Sequence, residues 1–125
     1  MKKAIITTLV AIALIIGGAI LEHISITNSF NEMKEKLNTV YVKADNETAE
    51  RSDIERFRES WLEHKKFLHC YIPHNDIKDV EVYLAEAEAL IIKKHYGFAL
   101  SKLNVLKQMF EHLPKTYDTK PENIL

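Results

Sequence analysis

A run of 18 consecutive residues without a charge, Ala4 to Leu21, follows directly on Lys2 and Lys3. As a helix rising about 1.5 Å per residue it reaches roughly 27 Å, close to the hydrocarbon thickness of a bilayer. Thr7 and Thr8 do not interrupt it, because a hydroxyl can bond back to a carbonyl of the preceding turn. Glu22 closes the run. Residues 1–21 are therefore expected to be a transmembrane anchor, with a cleaved signal peptide as the alternative. Gly17-Gly18-Ala19 would supply the small residues a signal peptidase needs. Against cleavage, Ile24 and Ile26 carry the apolar character past Glu22, and no proline or polar cluster opens the chain there. A lipoprotein is excluded, because its lipid needs a cysteine near the cleavage point and Cys70 is the single cysteine.

Charge sets the expected orientation. Lys2 and Lys3 precede the apolar run, and the next basic residue after it is Lys34. That excess of lysine on the short N-terminal side predicts a cytoplasmic N-terminus and an extracytoplasmic residue 22–125 portion at the cell membrane. The portion outside the run is net acidic and has no polybasic patch, so nucleic acid is not an expected partner. Cys70 can make no internal disulfide; it either joins two copies or packs as a small hydrophobe, and burial is the expectation.

Beyond the run, the hydrophobic period is helical throughout. Ile26, Phe30, Met33, Leu37, Val40 and Ala44 alternate steps of four and three, which predicts an amphipathic helix over residues 22–45, a stalk or the first helix of a bundle. Nothing breaks the chain between run and stripe, so both are expected on one rod. The polar stretch from Asp45 to Arg51 reads as a turn. Ser52 with Glu55 three positions on reads as a capping box opening a second helix. Ile54, Phe57, Trp61, Leu62, Leu68 and Ile72 form its stripe, and Pro73 ends it. Asn75 is the expected cap of a third helix, whose stripe is Ile77, Val80, Leu84, Ala87 and Ile91. Ala85, Ala87 and Ala89 are expected to let it approach a fourth helix closely. Tyr96-Gly97 reads as the turn between them, glycine taking the left-handed geometry of a helix end. The fourth stripe runs Ala99, Leu100, Leu103, Leu106, Phe110 and Leu113 and stops at Pro114. Residues 46–113 thus complete the bundle, and 114–125 are expected as an extended tail with Ile124-Leu125 folding back. The fold class is all-α, an N-terminal transmembrane helix followed by a small antiparallel helical bundle.

Reactive chemistry is sparse. His69, Cys70, His74 and Asp76 are the one cluster of potential metal ligands, but His69 and Cys70 point about 100° apart on a helix, and Pro73 turns the chain before His74. Ser52 and Ser60 lack the glycines of a nucleophile elbow, and Cys70 lacks a helix start that would lower its pKa. Glu86 and Glu88 read as solvated carboxylates beside lysines. No catalytic residue, cofactor or metal site is assigned, and the chain is not expected to be an enzyme. Trp61 shares a stripe with Ile54 and Leu68 and is expected in the core; exposed beside Phe57 and Phe67 it would instead be an aromatic binding anchor.

Several segments carry a resemblance. Lys2-Lys3, Trp61-Leu62-Glu63-His64-Lys65-Lys66, Ile72-Pro73-His74-Asn75-Asp76-Ile77, Ala99-Leu100-Ser101-Lys102-Leu103, Pro114-Lys115 and Asn123-Ile124-Leu125 together resemble a family of small uncharacterised proteins of Gram-positive bacteria. The resemblance implies a membrane-tethered helical domain and brings no activity, cofactor or catalytic residue. The expected role is a tethered interaction module that meets a protein partner or a second copy through its helices, as an accessory to another membrane protein. The alternative is a ligand or metal sensor built on His69, His74 and Asp76.

Overall fold

The computed structural model describes residues 1–116, and the extended tail with Ile124-Leu125 folding back, expected from sequence, lies beyond Thr116 outside the described residues. The described residues form four helices: α1 (Lys2–Asp45), α2 (Arg51–Leu68), α3 (His74–Ile92) and α4 (Tyr96–Thr116). No strand occurs among the described residues.

α1 is one unbroken helix of 44 residues, about 66 Å long at the standard rise. Its two halves have different surroundings. From Lys2 to Ile24 no side chain is buried, and Leu9, Leu14, Ile15 and Leu21 are all more than half exposed. This half is long and apolar enough to cross a membrane. From Phe30 onward the stripe is covered: Phe30, Met33, Leu37, Val40 and Ala44 are buried. The helices α2, α3 and α4 supply that cover, in ring order α1–α2–α3–α4, each antiparallel to the one before. α4 packs closely on α1 and α3, and α2 sits more loosely between its neighbours.

Polar contacts fix the register without a slip. Glu32 meets His64 at 3.3 Å, Lys36 meets Ser60 at 3.0 Å and Lys43 meets Asp53 at 2.8 Å. Each advance along α1 is matched by an equal retreat along α2. The same holds for α1 and α4, where Lys34 pairs with Glu111 at 3.1 Å and Asn38 accepts from Lys107 at 3.3 Å. One end of the bundle therefore lies toward the apolar half of α1 and carries the α2–α3 corner. The other end carries the α1–α2 and α3–α4 turns, tied together where the Tyr96 hydroxyl donates to the Ala49 carbonyl at 3.0 Å.

Phe110 of α4 organises the core. The rings of Phe30, Phe57 and Trp61 surround it at centroid distances of 6.0 Å, 6.1 Å and 5.9 Å. Trp61 is buried, as its stripe implied.

The helix ends depart from the sequence reading. α2 opens at Glu50, not Ser52: the Glu50 amide donates to Asp53 Oδ2 at 2.8 Å, so the capping carboxylate is Asp53 and Ser52 lies inside the first turn. α3 starts at His74 behind Pro73, which leaves Asn75 in the first turn with no capping bond. Proline serves there because its φ is already fixed and the first turn needs no amide bond. At the end of α3 the left-handed residue is Lys94, φ 60°, while Gly97 lies in the first turn of α4 with φ negative. The amides of Lys94 and His95 bond back to the carbonyls of Ile91 at 2.9 Å and Leu90 at 2.8 Å, a Schellman closure that sets its strained position one residue past the cap. α1 closes the same way at Glu47, φ 57°, through Glu47 to Ala44 at 3.0 Å and Thr48 to Lys43 at 2.8 Å. α4 also continues through Pro114 to Thr116; so near the end, the proline forfeits only the bond to Phe110.

Candidate interaction face on the third helix

Four helices that bury one stripe each should present polar outer faces. Three of them do. The outward positions of α2 include Arg56, Glu59, Glu63 and Lys66, with Leu62 the single large apolar exception. Those of α4 include Ser101, Asn104, Gln108 and Glu111, with Phe98 exposed at its start. On the packed half of α1, Asn31, Glu35 and Asn38 face out, with Val42 the single large aliphatic exception.

α3 breaks the pattern. Opposite its buried stripe runs a second one, Val82, Ala85, Ala89 and Ile92, spaced by three, four and three residues and exposed along its length. Val82 and Ile92 keep 45% and 43% of their surface accessible. At 3.6 residues per turn these four positions fall within about 80° of one another, a narrow seam. Ala85 and Ala89, expected from sequence against α4, lie on this outer seam instead; only Ala87 is buried. The alternation of buried and exposed alanines follows from helical geometry, which turns residues two apart to opposite sides.

The acidic residues on each flank of the seam are already paired within the chain. Glu81 meets Lys65 at 2.6 Å, Glu88 accepts from Arg58 at 2.8 Å and 3.0 Å, and Glu86 meets Lys102 at 2.9 Å. Glu88 is only 12% exposed at its side chain, so it is a structural ion-pair partner and not the solvated carboxylate read from sequence. Glu86 also raises the pKa of Lys102, first through its hydrogen bond and then through its charge. The seam is thus an apolar centre flanked by paired glutamates, with Lys78 and Lys93 exposed at its two ends, the layout of a contact patch. From Val82 to Ile92 it spans about 15 Å, short for a stable interface by itself.

The sequence-derived cluster is only partly assembled. The rings of His69 and His74 come together at a centroid distance of 5.8 Å. No group of three His, Cys, Asp or Glu side chains able to hold a metal occurs among the described residues. Cys70, expected buried, is exposed in the α2–α3 corner, because the helix has ended at Leu68 and the stripe no longer governs which side faces in. Trp61 is packed and does not serve as a surface anchor; its Nε1 donor has no partner among the described residues.

The α2–α3 corner makes one contact that sequence reasoning missed. The Tyr71 hydroxyl donates to Glu22 Oε1 at 3.2 Å, and the Tyr71 ring lies 5.1 Å from that of Phe67. Burial raises the Tyr71 pKa, and the Glu22 carboxylate raises it further, so the hydroxyl stays a donor.

Fold and face together define a class: a small up-and-down helical bundle carried on a long apolar helix, with one lateral face left apolar. The chain belongs to the family described as a domain of unknown function, DUF4363, which matches residues 20–124. The match starts at the end of the apolar run and takes in the whole bundle. No curated protein and no solved structure matches the chain.

Proposed function

We propose that this protein is a single-pass, membrane-tethered interaction module. The apolar half of α1 holds it in the cell membrane with the N-terminus in the cytoplasm, and the bundle stands outside. The lysine excess before the run supports that orientation. The observation that carries the functional reading is the outer seam of α3, Val82, Ala85, Ala89 and Ile92. A helix that already buries one face has no folding reason to keep a second apolar one, and its flanking carboxylates are occupied internally. Small residues at the centre admit a partner helix at close range. The seam's shortness suits an accessory that meets another membrane protein already held in the same bilayer, where tethering raises the effective concentration.

A photoreactive residue placed at Val82 in the full-length chain tests this in intact membranes, with Glu59 on α2 as the comparison site. A discrete protein adduct from Val82, lost on Ala85→Glu and absent from Glu59, is the expected result. Equal, diffuse labelling from both sites would refute the reading. A second reading, a ligand or metal sensor, has the paired rings of His69 and His74 in its favour; zinc bound stoichiometrically and lost on His74→Gln would select it.

A further inference from the structure

The position of the α2–α3 corner relative to the apolar run has a physical consequence. Glu22 is the first charged residue after that run, and Tyr71 at the tip of the corner holds its carboxylate at 3.2 Å. Since α1 does not break between Leu21 and the bundle, the depth of Glu22 sets the depth of the corner. The C-terminal end of α4, which lies at the same end of the bundle, stops short of that level. By the register of Lys34 with Glu111, Thr116 lies beside residue 29 of α1, about 10 Å higher. Among the described residues of the bundle, only the α2–α3 corner comes down to the height where the charge-free run stops.

Its composition fits that height. Tyr71 and Phe67 pack as tilted rings with centroids 5.1 Å apart, and tyrosine at the headgroup level is a recurrent anchor. His69, Cys70, Pro73 and His74 are exposed around it, and Lys66 is exposed one turn above. The Glu22 carboxylate is engaged by Tyr71, and the exposed polar groups of the corner are the His69 and His74 imidazoles, with the Asn75 amide and the Lys66 ammonium beside them and Asp76 half-buried in the first turn of α3.

We propose that the α2–α3 corner, residues 69–74, seats in the headgroup layer of the bilayer that holds α1, with Tyr71 at its centre and His69, His74 and Lys66 toward anionic phosphates. The inference rests on the tethering read above and adds a second point of contact. Two contacts fix the bundle upright. The α3 seam then runs along the membrane normal, and it faces sideways toward neighbours in the same membrane.

The single native thiol is in the right place to test it. The full-length chain is labelled at Cys70 with a fluorophore and placed in vesicles of phosphatidylcholine with phosphatidylglycerol, some carrying a nitroxide on the headgroup as quencher. Two comparison chains in a Cys70→Ser background carry Glu47→Cys, at the far end of the bundle, and Leu14→Cys, within the run. Cys70 should be quenched at least about threefold more than Glu47→Cys, because the two lie some 25 residues of helix rise apart, roughly 37 Å. Tyr71→Phe should reduce the difference. Equal quenching at Cys70 and Glu47→Cys, with Leu14→Cys still reached by a quencher deep in the acyl chains, would overturn the corner contact and leave the tether standing. Loss of deep quenching at Leu14→Cys would instead remove the tether on which both readings rest.

Discussion

The two halves of α1 share one backbone and one hydrogen-bond ladder, yet only one half is part of a folded core. Between Ile5 and Leu21 apolar side chains point in every direction and none is covered. Between Phe30 and Ala44 the stripe of Phe30, Met33, Leu37, Val40 and Ala44 is covered, and Val42 is the large aliphatic side chain left exposed. The lesson is that a helix does not carry its own environment. An all-round apolar surface needs an apolar solvent or protein on every side, whereas a stripe can be satisfied by three neighbouring helices and leave its back to water. The α3 seam is an intermediate case: a second stripe too narrow for lipid and too apolar for water.

The largest predicted effect separates these halves by truncation. Leu37 is wholly buried, and Leu37→Ala should destabilise the bundle by about 2–5 kcal/mol, from lost transfer free energy and the cavity left behind. Leu14 is 71% exposed and touches no other helix, so Leu14→Ala should leave bundle stability unchanged within about 0.5 kcal/mol. Denaturant titration in mild detergent, followed by Trp61 emission, measures both. A comparable loss from Leu14→Ala would mean that the apolar half also packs against protein and that the contrast is false.

How much of this was legible in the chain depends on how local each signal is. The four stripes were, because Phe30, Ile54, Ile77 and Leu103 each recur with partners three and four residues away on the same helix. The charge-free run was, because length and composition alone define it. Caps were not. Whether Asp53 or Glu55 closes the first turn of α2 depends on where the backbone leaves extended geometry, here at Glu50 with φ −112° and ψ 166°, and two carboxylates two residues apart look alike in sequence. Lys94 took the left-handed position from Gly97 because the Schellman closure is counted from the last buried turn of α3, and a nearby glycine does not move it. The outer seam was present in the spacing of Val82, Ala85, Ala89 and Ile92, but alanine is compatible with either face and was assigned to the α4 contact. Nothing local could have shown that Tyr71 reaches Glu22, since 49 residues separate them.

A smaller effect follows at the top of α1's packed half, where charge takes over from packing. Burial pushes the Asp53 carboxyl up, but Lys43 at 2.8 Å and the Glu50 amide outweigh it, and the net shift is downward. A carboxyl whose folded pKa is depressed contributes stability above its unfolded value, about 3.9, and loses that contribution as pH falls through the folded value. Asp53→Ala should therefore cost about 1–2 kcal/mol at neutral pH, most of it the lost cap, since Lys43 is 43% exposed and its charge is screened. The gap between the two proteins should narrow below about pH 4. Urea titrations at pH 7 and pH 3 read it directly; a gap that widened in acid would contradict the assignment of Asp53 as the buried, ionised cap.

The smallest effect runs the other way, toward a more stable protein. Glu47 ends α1 with φ 57°, a conformation that costs a residue with a Cβ about 1–2 kcal/mol. Glu47→Gly removes that cost but adds backbone freedom to the unfolded chain, so the net gain should be about 0.5–1 kcal/mol. Lys94→Gly, at the matching position after α3, should gain a similar amount, and the two should add if the turns act independently. Gly17 is the informative counterpart in the apolar half. A Cβ there meets nothing within 4 Å, and alanine is the better helix former. If the two halves are as separate as their burial indicates, Gly17→Ala should stiffen the apolar segment without moving the unfolding midpoint of the bundle, while Glu47→Gly raises it. A midpoint that rose equally for both would show that helix propensity in the apolar half is transmitted along α1 into the core, and that the rod unfolds as one unit.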